Sequence, residues 1–181
     1  MKQLLKNRTA AIIITAVVIL LSTLLGSHRS LIAAAYPAER YFIEGEDGYS
    51  IQRDLDTREG LANKLLVVAA RYLLLDDTML LDLQDAITAL QQANTISEKS
   101  AANQQLTAVT ERMDLYLQEY PLSTADERYR INIRTDLASC NQTISHNEYN
   151  QMALKYNTEV LGKFPANVLK QITGVPDLET F

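Results

Sequence analysis

Few residues in this 181-residue chain could carry acid–base, nucleophilic or metal chemistry. The chain has two histidines, His28 and His146, and one cysteine, Cys140. Glu148 lies two residues after His146, on another side of a predicted helix, so the two side chains do not form a metal-binding set. The sequence contains no glycine-rich phosphate loop, nucleophile elbow or zinc signature. It therefore predicts a protein that is not an enzyme, with no catalytic residues, no metal and no cofactor.

Two other features have both a reactive and a structural interpretation. Cys140 lies on the apolar face of a predicted helix, which favours a small buried hydrophobe over a redox residue or an interchain disulfide. As the single cysteine, it excludes an intrachain disulfide. A group of aspartates near the start of another predicted helix favours helix capping over a cation site, because no partner ligands are visible. This group comprises Asp76, Asp77, Asp82 and Asp85.

The charge distribution separates a basic N-terminus from an acidic remainder. The net charge is -5, and Lys2, Lys6 and Arg8 precede the first acidic residue, Glu39. Without those three bases, 14 of the 17 basic residues remain against 22 acidic ones, which gives the remainder a net charge of about -8. An acidic domain repels nucleic acid, so we expect no nucleic-acid partner.

An uncharged apolar run from Thr9 to Gly26 follows the basic residues. Its length approaches the roughly 20 residues that span the hydrocarbon core of a bilayer. It is longer than the apolar region of most signal peptides, although Ala33 to Ala35 offer a possible cleavage sequence beyond it. We expect an uncleaved signal anchor, with a removable signal peptide as the alternative. The positive-inside rule then predicts a cytoplasmic N-terminus and a C-terminal domain outside the cytoplasm.

Apolar residues with helical spacing dominate the rest of the chain. Helices are predicted over residues 49–75, 78–93, 97–120 and 123–164, the last as one helix of roughly 40 residues. The inward positions of the first include Leu55, Arg58, Ala62 and Leu65. Because every long segment has helical spacing, the expected fold is all-α, and short connections favour antiparallel neighbours. It consists of an N-terminal transmembrane helix and an elongated antiparallel up-down bundle of three to four long helices.

These patterns divide the chain into five predicted segments. They are a cytoplasmic N-terminus (1–8), a transmembrane signal anchor (9–26), a juxtamembrane linker interrupted or kinked at Pro37 (27–47), a helical bundle (48–165) and a C-terminal tail with a short amphipathic helix (166–181).

Residues 65–75 are apolar on nearly every side of the predicted helix, so one neighbour cannot cover them all. Leu73 and Leu74 need cover from a neighbouring helix, the C-terminal tail or a second subunit. We expect the tail, because a cover within the chain avoids the entropy lost on association.

Two Tyr-Asn pairs lie one heptad apart, Tyr149-Asn150 and Tyr156-Asn157, and Phe164-Pro165 follows. With these motifs the chain resembles the LemA family, as a divergent member. The resemblance implies a helical bundle on a membrane anchor and implies no catalytic residues.

The spacing of the pairs also has a physical interpretation. Seven residues place the tyrosines on one helix face and the asparagines on the adjoining stripe. A tyrosine buries its ring while its hydroxyl stays bonded, and a half-buried asparagine fixes helix register. A structural role is expected, with a ligand or partner site as the alternative.

The sequence favours a non-enzymatic, membrane-anchored LemA-type bundle that acts as an interaction, scaffold or accessory subunit at the cell envelope. Its partners would be the lipid bilayer, through residues 9–26, and another membrane or envelope protein or a second copy. The alternative is an extracytoplasmic sensor that binds a small ligand near Tyr149 and Tyr156.

Overall fold

The computed structural model describes residues 8–45 and 48–181, and all regular secondary structure in that part of the chain is helical. The predicted all-α class is therefore confirmed. The helices are α1 (Arg8–Ile43), α2 (Ile51–Ala69), α3 (Thr78–Gln92), α4 (Ile96–Leu117), α5 (Thr124–Ser145), α6 (Tyr149–Lys155), a π-helical segment (Tyr156–Leu161) and α7 (Ala166–Thr173).

The chain forms two compact units. The first unit contains residues 8–38 and 151–178 of the described chain, and the bundle unit contains residues 39–150 and 179–181.

Helices α2 to α5 form the predicted up-down bundle. α2 packs mainly against α5 and α3, and α3 packs against α4. Antiparallel pairing of α2 and α5 follows from two contacts: Arg58 reaches Leu137, and Tyr72 reaches Asp126. The buried core positions recur every three or four residues, as the sequence predicts. The largest fully buried apolar side chains on these helices are Ile51, Leu65, Leu83, Leu106, Met113 and Leu117.

The four bundle helices begin at polar residues whose side chains accept a main-chain N–H. These N-caps are Ser50, Asp77, Thr95 and Ser123. At α4 the cap is reciprocal, because the Glu98 carboxylate accepts from the Thr95 N–H at 3.0 Å while the Thr95 hydroxyl accepts from Glu98 N–H. Such caps satisfy N–H groups that have no partner within the helix.

The single long helix predicted for the C-terminal third is wrong, because the helix breaks between Ser145 and Tyr149. The Nδ1 atom of His146 lies 2.8 Å from the carbonyl oxygen of Gln142, so a side chain competes for an acceptor of the last helical turn. Asn147 Oδ1 then accepts from the Tyr149 N–H at 2.9 Å, which starts α6 as a separate helix.

The second helix is shorter than predicted, ending at Ala69 rather than Leu75. The chain then tightens into a turn, in which the Tyr72 N–H donates to the Ala69 carbonyl at 3.0 Å. This turn buries Leu73 and leaves Leu74 and Leu75 exposed to 78% and 85%. Within the bundle unit, no neighbouring helix therefore covers Leu74 or Leu75.

The first unit is built on α1, a helix that continues through Pro37. Residues from the second half of α1 form a small core with the segment after α6. This core contains Leu31, Ala35, Tyr156, Leu161 and Val175. The short amphipathic helix expected in the tail is α7, which ends at Gly174 in the left-handed conformation, with φ of 73°.

One carboxylate joins α5 to the turn after α2. Asp126 is buried and accepts hydrogen bonds from the Tyr72 hydroxyl at 2.6 Å and the Ser123 hydroxyl at 2.9 Å, and it pairs with Arg71. The Tyr72 hydroxyl, followed by Ser123 and Arg71, holds the pKa of Asp126 below its usual value.

We predict that the bundle loses stability in acid through Asp126. Since its pKa is lower in the folded than in the unfolded chain, its contribution is complete above pH about 4 and is lost as the pH falls through the folded value. Asp126→Asn should melt at a lower temperature at pH 7 and show a smaller drop between pH 5 and pH 3. The measurement is thermal unfolding followed by circular dichroism.

The matched control is Asp136→Asn, which changes an exposed aspartate on the same helix. It should retain the pH dependence of the unchanged protein. Identical melting curves for the Asp126 and Asp136 variants at both pH values would contradict the assigned role.

Candidate functional site

The first Tyr-Asn pair lies in the bundle unit and binds residues 179–181. The Tyr149 side chain is fully buried, and its hydroxyl donates to the carbonyl oxygen of Glu179 at 2.6 Å. Its ring meets the ring of Phe42 edge-on, with centroids 5.1 Å apart. Burial, with the nearby charges of Glu39 and Glu179, raises the pKa of Tyr149 to about 12. At neutral pH this hydroxyl is a hydrogen-bond donor and not an acid or a base.

Asn150 binds the main chain of Phe181 with both ends of its amide. Its Nδ2 donates to the Phe181 carbonyl oxygen at 2.9 Å, and its Oδ1 accepts from the Phe181 N–H at 2.7 Å. An asparagine amide carries both a donor and an acceptor, so it satisfies both polar groups of one residue. This contact does not depend on the side chain at position 181.

Glu179 connects residues 179–181 to the start of α4. Its carboxylate accepts from the main-chain N–H and the hydroxyl of Ser97, both at 2.9 Å. These hydrogen bonds lower the pKa of Glu179. A carboxylate at a helix N-terminus is also favoured by the helix dipole. Glu179 and Phe181 are therefore both fixed within the bundle unit.

The second Tyr-Asn pair repeats this chemistry in the first unit. The Tyr156 hydroxyl donates to the carbonyl oxygen of Leu31 at 2.9 Å in a buried position. Asn157 donates to the Leu178 carbonyl at 2.9 Å and accepts from its N–H at 2.8 Å. Both pairs thus bind main-chain groups of distant segments of the same chain.

The remaining predicted residues occupy different surroundings. Phe164 is 84% exposed, and Pro165 is exposed before α7, joined to Phe164 by a cis peptide bond. Leu73 is buried and belongs to the core, whereas Leu74 faces solvent. Of the predicted interaction residues outside the Tyr-Asn pairs, Leu74 and Phe164 are large exposed hydrophobic residues.

The residues that could do chemistry stay apart in the fold. Cys140 is partly buried, and burial raises the pKa of its thiol. Asp77 caps α3, and Asp82 pairs with Arg112 at 3.5 Å. Within residues 8–45 and 48–181, no group of three or more His, Cys, Asp or Glu side chains lies close enough to hold a metal ion.

Sequence reasoning missed a set of charged side chains inside the bundle. Arg58 is 1% exposed, and Arg130 and Asp114 form a buried ion pair. These residues line a cavity of about 380 Å³. One signal was present in the sequence, because the spacing from Leu55 to Leu65 places Arg58 on the inward face of α2.

We predict that Asn150→Asp loosens the main chain at Phe181. An aspartate cannot donate to the Phe181 carbonyl, and its charge opposes that oxygen. Hydrogen exchange at the Phe181 amide, followed by nuclear magnetic resonance, should be roughly tenfold faster in this variant, since losing about 1.4 kcal/mol changes an opening equilibrium tenfold. The control is Asn132→Asp, which changes an exposed asparagine on α5. Equal exchange rates in both variants would refute a holding role for this contact.

Residues 49–181 match the LemA family profile, a span that contains α2 to α7 and both Tyr-Asn pairs. No curated protein and no solved structure matches the chain. The family match covers well over half of the 181 residues, so the chain belongs to the LemA family.

Proposed function

We propose that this chain is a non-enzymatic, membrane-anchored LemA-family protein whose bundle serves as an interaction or accessory subunit for another protein at the cell envelope. The observation that carries the proposal is the exposed apolar part of α1. Its most apolar 18-residue window has a mean hydropathy of 2.4, and none of that window is buried within the structure.

A bilayer is the environment that best accommodates this segment. Eighteen helical residues extend about 27 Å, close to the roughly 30 Å of the hydrocarbon core. Large apolar side chains on all sides, such as Ile12, Leu20 and Leu25, are more than half exposed. Leaving them in water would cost about 25 cal/mol for each Å² of apolar surface. α1 is thus long and apolar enough to cross a membrane.

An uncleaved anchor fits the first unit better than a removable signal peptide. Cleavage near Ala33 to Ala35 would remove Leu31, whose carbonyl accepts the buried Tyr156 hydroxyl. Leu31 and Ala35 also belong to the core of this unit. The structure of the unit therefore supports keeping α1 attached.

The orientation rests on charge. Lys2, Lys6 and Arg8 precede the apolar run, and Arg29 follows it closely. By the positive-inside rule the N-terminus lies in the cytoplasm and the bundle outside it.

The turn between α2 and α3 is the proposed contact with the partner. Leu74 and Leu75 are adjacent and almost fully exposed. A contiguous apolar patch that faces water marks a site of interaction with another protein, and these two leucines form such a patch at the turn. The competing hypothesis places a small ligand at Tyr149 and Tyr156. Both hydroxyls there already bind main-chain carbonyl groups, which favours the interaction role.

The proposal predicts that Leu74→Arg abolishes partner binding without unfolding the bundle. The full chain would be cross-linked in membranes, solubilised and captured. Each cross-linked protein would be quantified, and its recovery should fall at least about tenfold, as expected for a central interface residue. Leu154→Arg, at a leucine that is 59% exposed, is the matched control and should retain full recovery.

Equal recovery for the two variants would contradict the assigned contact. Cross-links only between copies of this chain would show self-association instead of an accessory role.

A further inference from the structure

Helix α7 has more apolar surface than the first unit covers. Ala166 and Leu169 pack against the core of that unit. Val168 and Ile172 lie about one helical turn apart and are 46% and 61% exposed, and Phe164, just before the helix, is 84% exposed. The spacing of four residues places Val168 and Ile172 on one side of α7, next to the packed side. α7 therefore carries an apolar stripe that the described chain leaves uncovered.

This helix lies beside the end of the apolar run of α1. Pro165, Ala166 and Leu169 line the same groove as Thr23 and Gly26, and all of these residues belong to the first unit. Gly26 is the last residue of the apolar run. Because the run falls slightly short of the roughly 20 residues that span the hydrocarbon core, its end lies at the bilayer surface and not beyond it. The start of α7 is then at the level of the lipid headgroups.

The charges of this segment also fit a lipid surface. Residues 160–176 contain Lys163 and Lys170 and no acidic residue, in a chain that has 22 acidic residues. Lys163 is exposed, and Lys170 pairs with Asp177 at 2.7 Å. Helices that lie in the membrane interface combine an apolar side with basic residues on the polar side. α7 and the residues before it have this combination.

We propose that α7 is a second membrane contact, an interfacial helix that lies on the bilayer beside the end of α1 and inserts Val168 and Ile172 between the lipids, with Phe164 next to them. Such helices bury their apolar side about 5 to 10 Å into the boundary between headgroups and acyl chains. The inference deepens the proposed function and rests on α1 crossing the membrane.

A lipid surface is favoured over a protein because the uncovered stripe of α7 adjoins the uncovered apolar run of α1. One bilayer covers both surfaces, whereas a protein on α7 would have to compete with the lipids around α1. With contacts from two helices, the first unit would be held in one orientation on the membrane, while a single spanning helix can rotate about its own axis.

The test uses the full chain reconstituted in vesicles of phosphatidylcholine and phosphatidylglycerol. The chain has no tryptophan, so a single introduced tryptophan reports its own surroundings. Val168→Trp and Ile172→Trp each replace an exposed apolar side chain with a larger one. Lipids that carry bromine on the acyl chain close to the headgroup quench tryptophan on contact. Both variants should lose most of their fluorescence in these lipids, since their side chains would lie at that depth.

Two further variants serve as controls. Lys170→Trp places the tryptophan on the side of α7 opposite Ile172 and should keep most of its fluorescence. It removes an ion pair that is partly exposed and contributes little to stability. Leu20→Trp, in the apolar run of α1, should lose its fluorescence in lipids brominated near the middle of the acyl chain, and it reports the anchor independently of α7.

Circular dichroism in the same vesicles would show that each variant folds, and either stripe variant decides if the other does not fold. If Leu20→Trp is quenched while the stripe variants are not, the α7 contact is overturned and the anchor stands. Stripe variants that are shielded from aqueous acrylamide as well would place a protein there instead of lipid. Equal quenching of Lys170→Trp would also contradict the proposal. If Leu20→Trp is not quenched, the anchor itself is overturned, and the α7 contact with it.

Discussion

Buried charged groups must find partners, and in this bundle that requirement sets how the helices align. Asp126 connects α5 to the turn after α2, and Arg130 joins α5 to Asp114 on α4. Arg58 reaches from α2 to both α4 and α5. Leucine packing tolerates small shifts along a helix, whereas a hydrogen-bonded charge pair in a low dielectric does not. A shift of one turn between α4 and α5 would break the buried ion pair of Arg130 with Asp114.

The helices of the bundle could be predicted from sequence because each has an apolar repeat of three and four residues. Where helices end was harder to predict, since local polar groups decide it. The break after Ser145 depends on His146 and Asn147, whose side chains take over main-chain hydrogen bonds. The end of α2 depends on a contact between Tyr72 and Asp126, 54 residues apart, which no local pattern reveals. Leu74 was expected to be covered because its neighbours are apolar, but the early turn points it outward.

For the Tyr-Asn pairs, too, the sequence predicts one feature and leaves another open. Their spacing predicted a structural role, with buried tyrosine rings and half-buried asparagines. It could not identify their partners, because the partners are main-chain groups and main-chain groups have no sequence signature. Asn150 binds the main chain of Phe181, and Asn157 does the same with Leu178. The apolar stripe of α2 did indicate a buried Arg58, because an arginine in such a stripe must either leave the core or find acceptors within it.

The proposed function depends above all on α1 crossing a membrane with the bundle outside the cytoplasm. The most direct test is protease treatment of cells whose outer layers are permeable and whose plasma membrane is intact. An antibody against the bundle would follow the result. The account predicts that the bundle is digested while cytoplasmic proteins survive. A bundle that stays protected until the plasma membrane is lysed would contradict it.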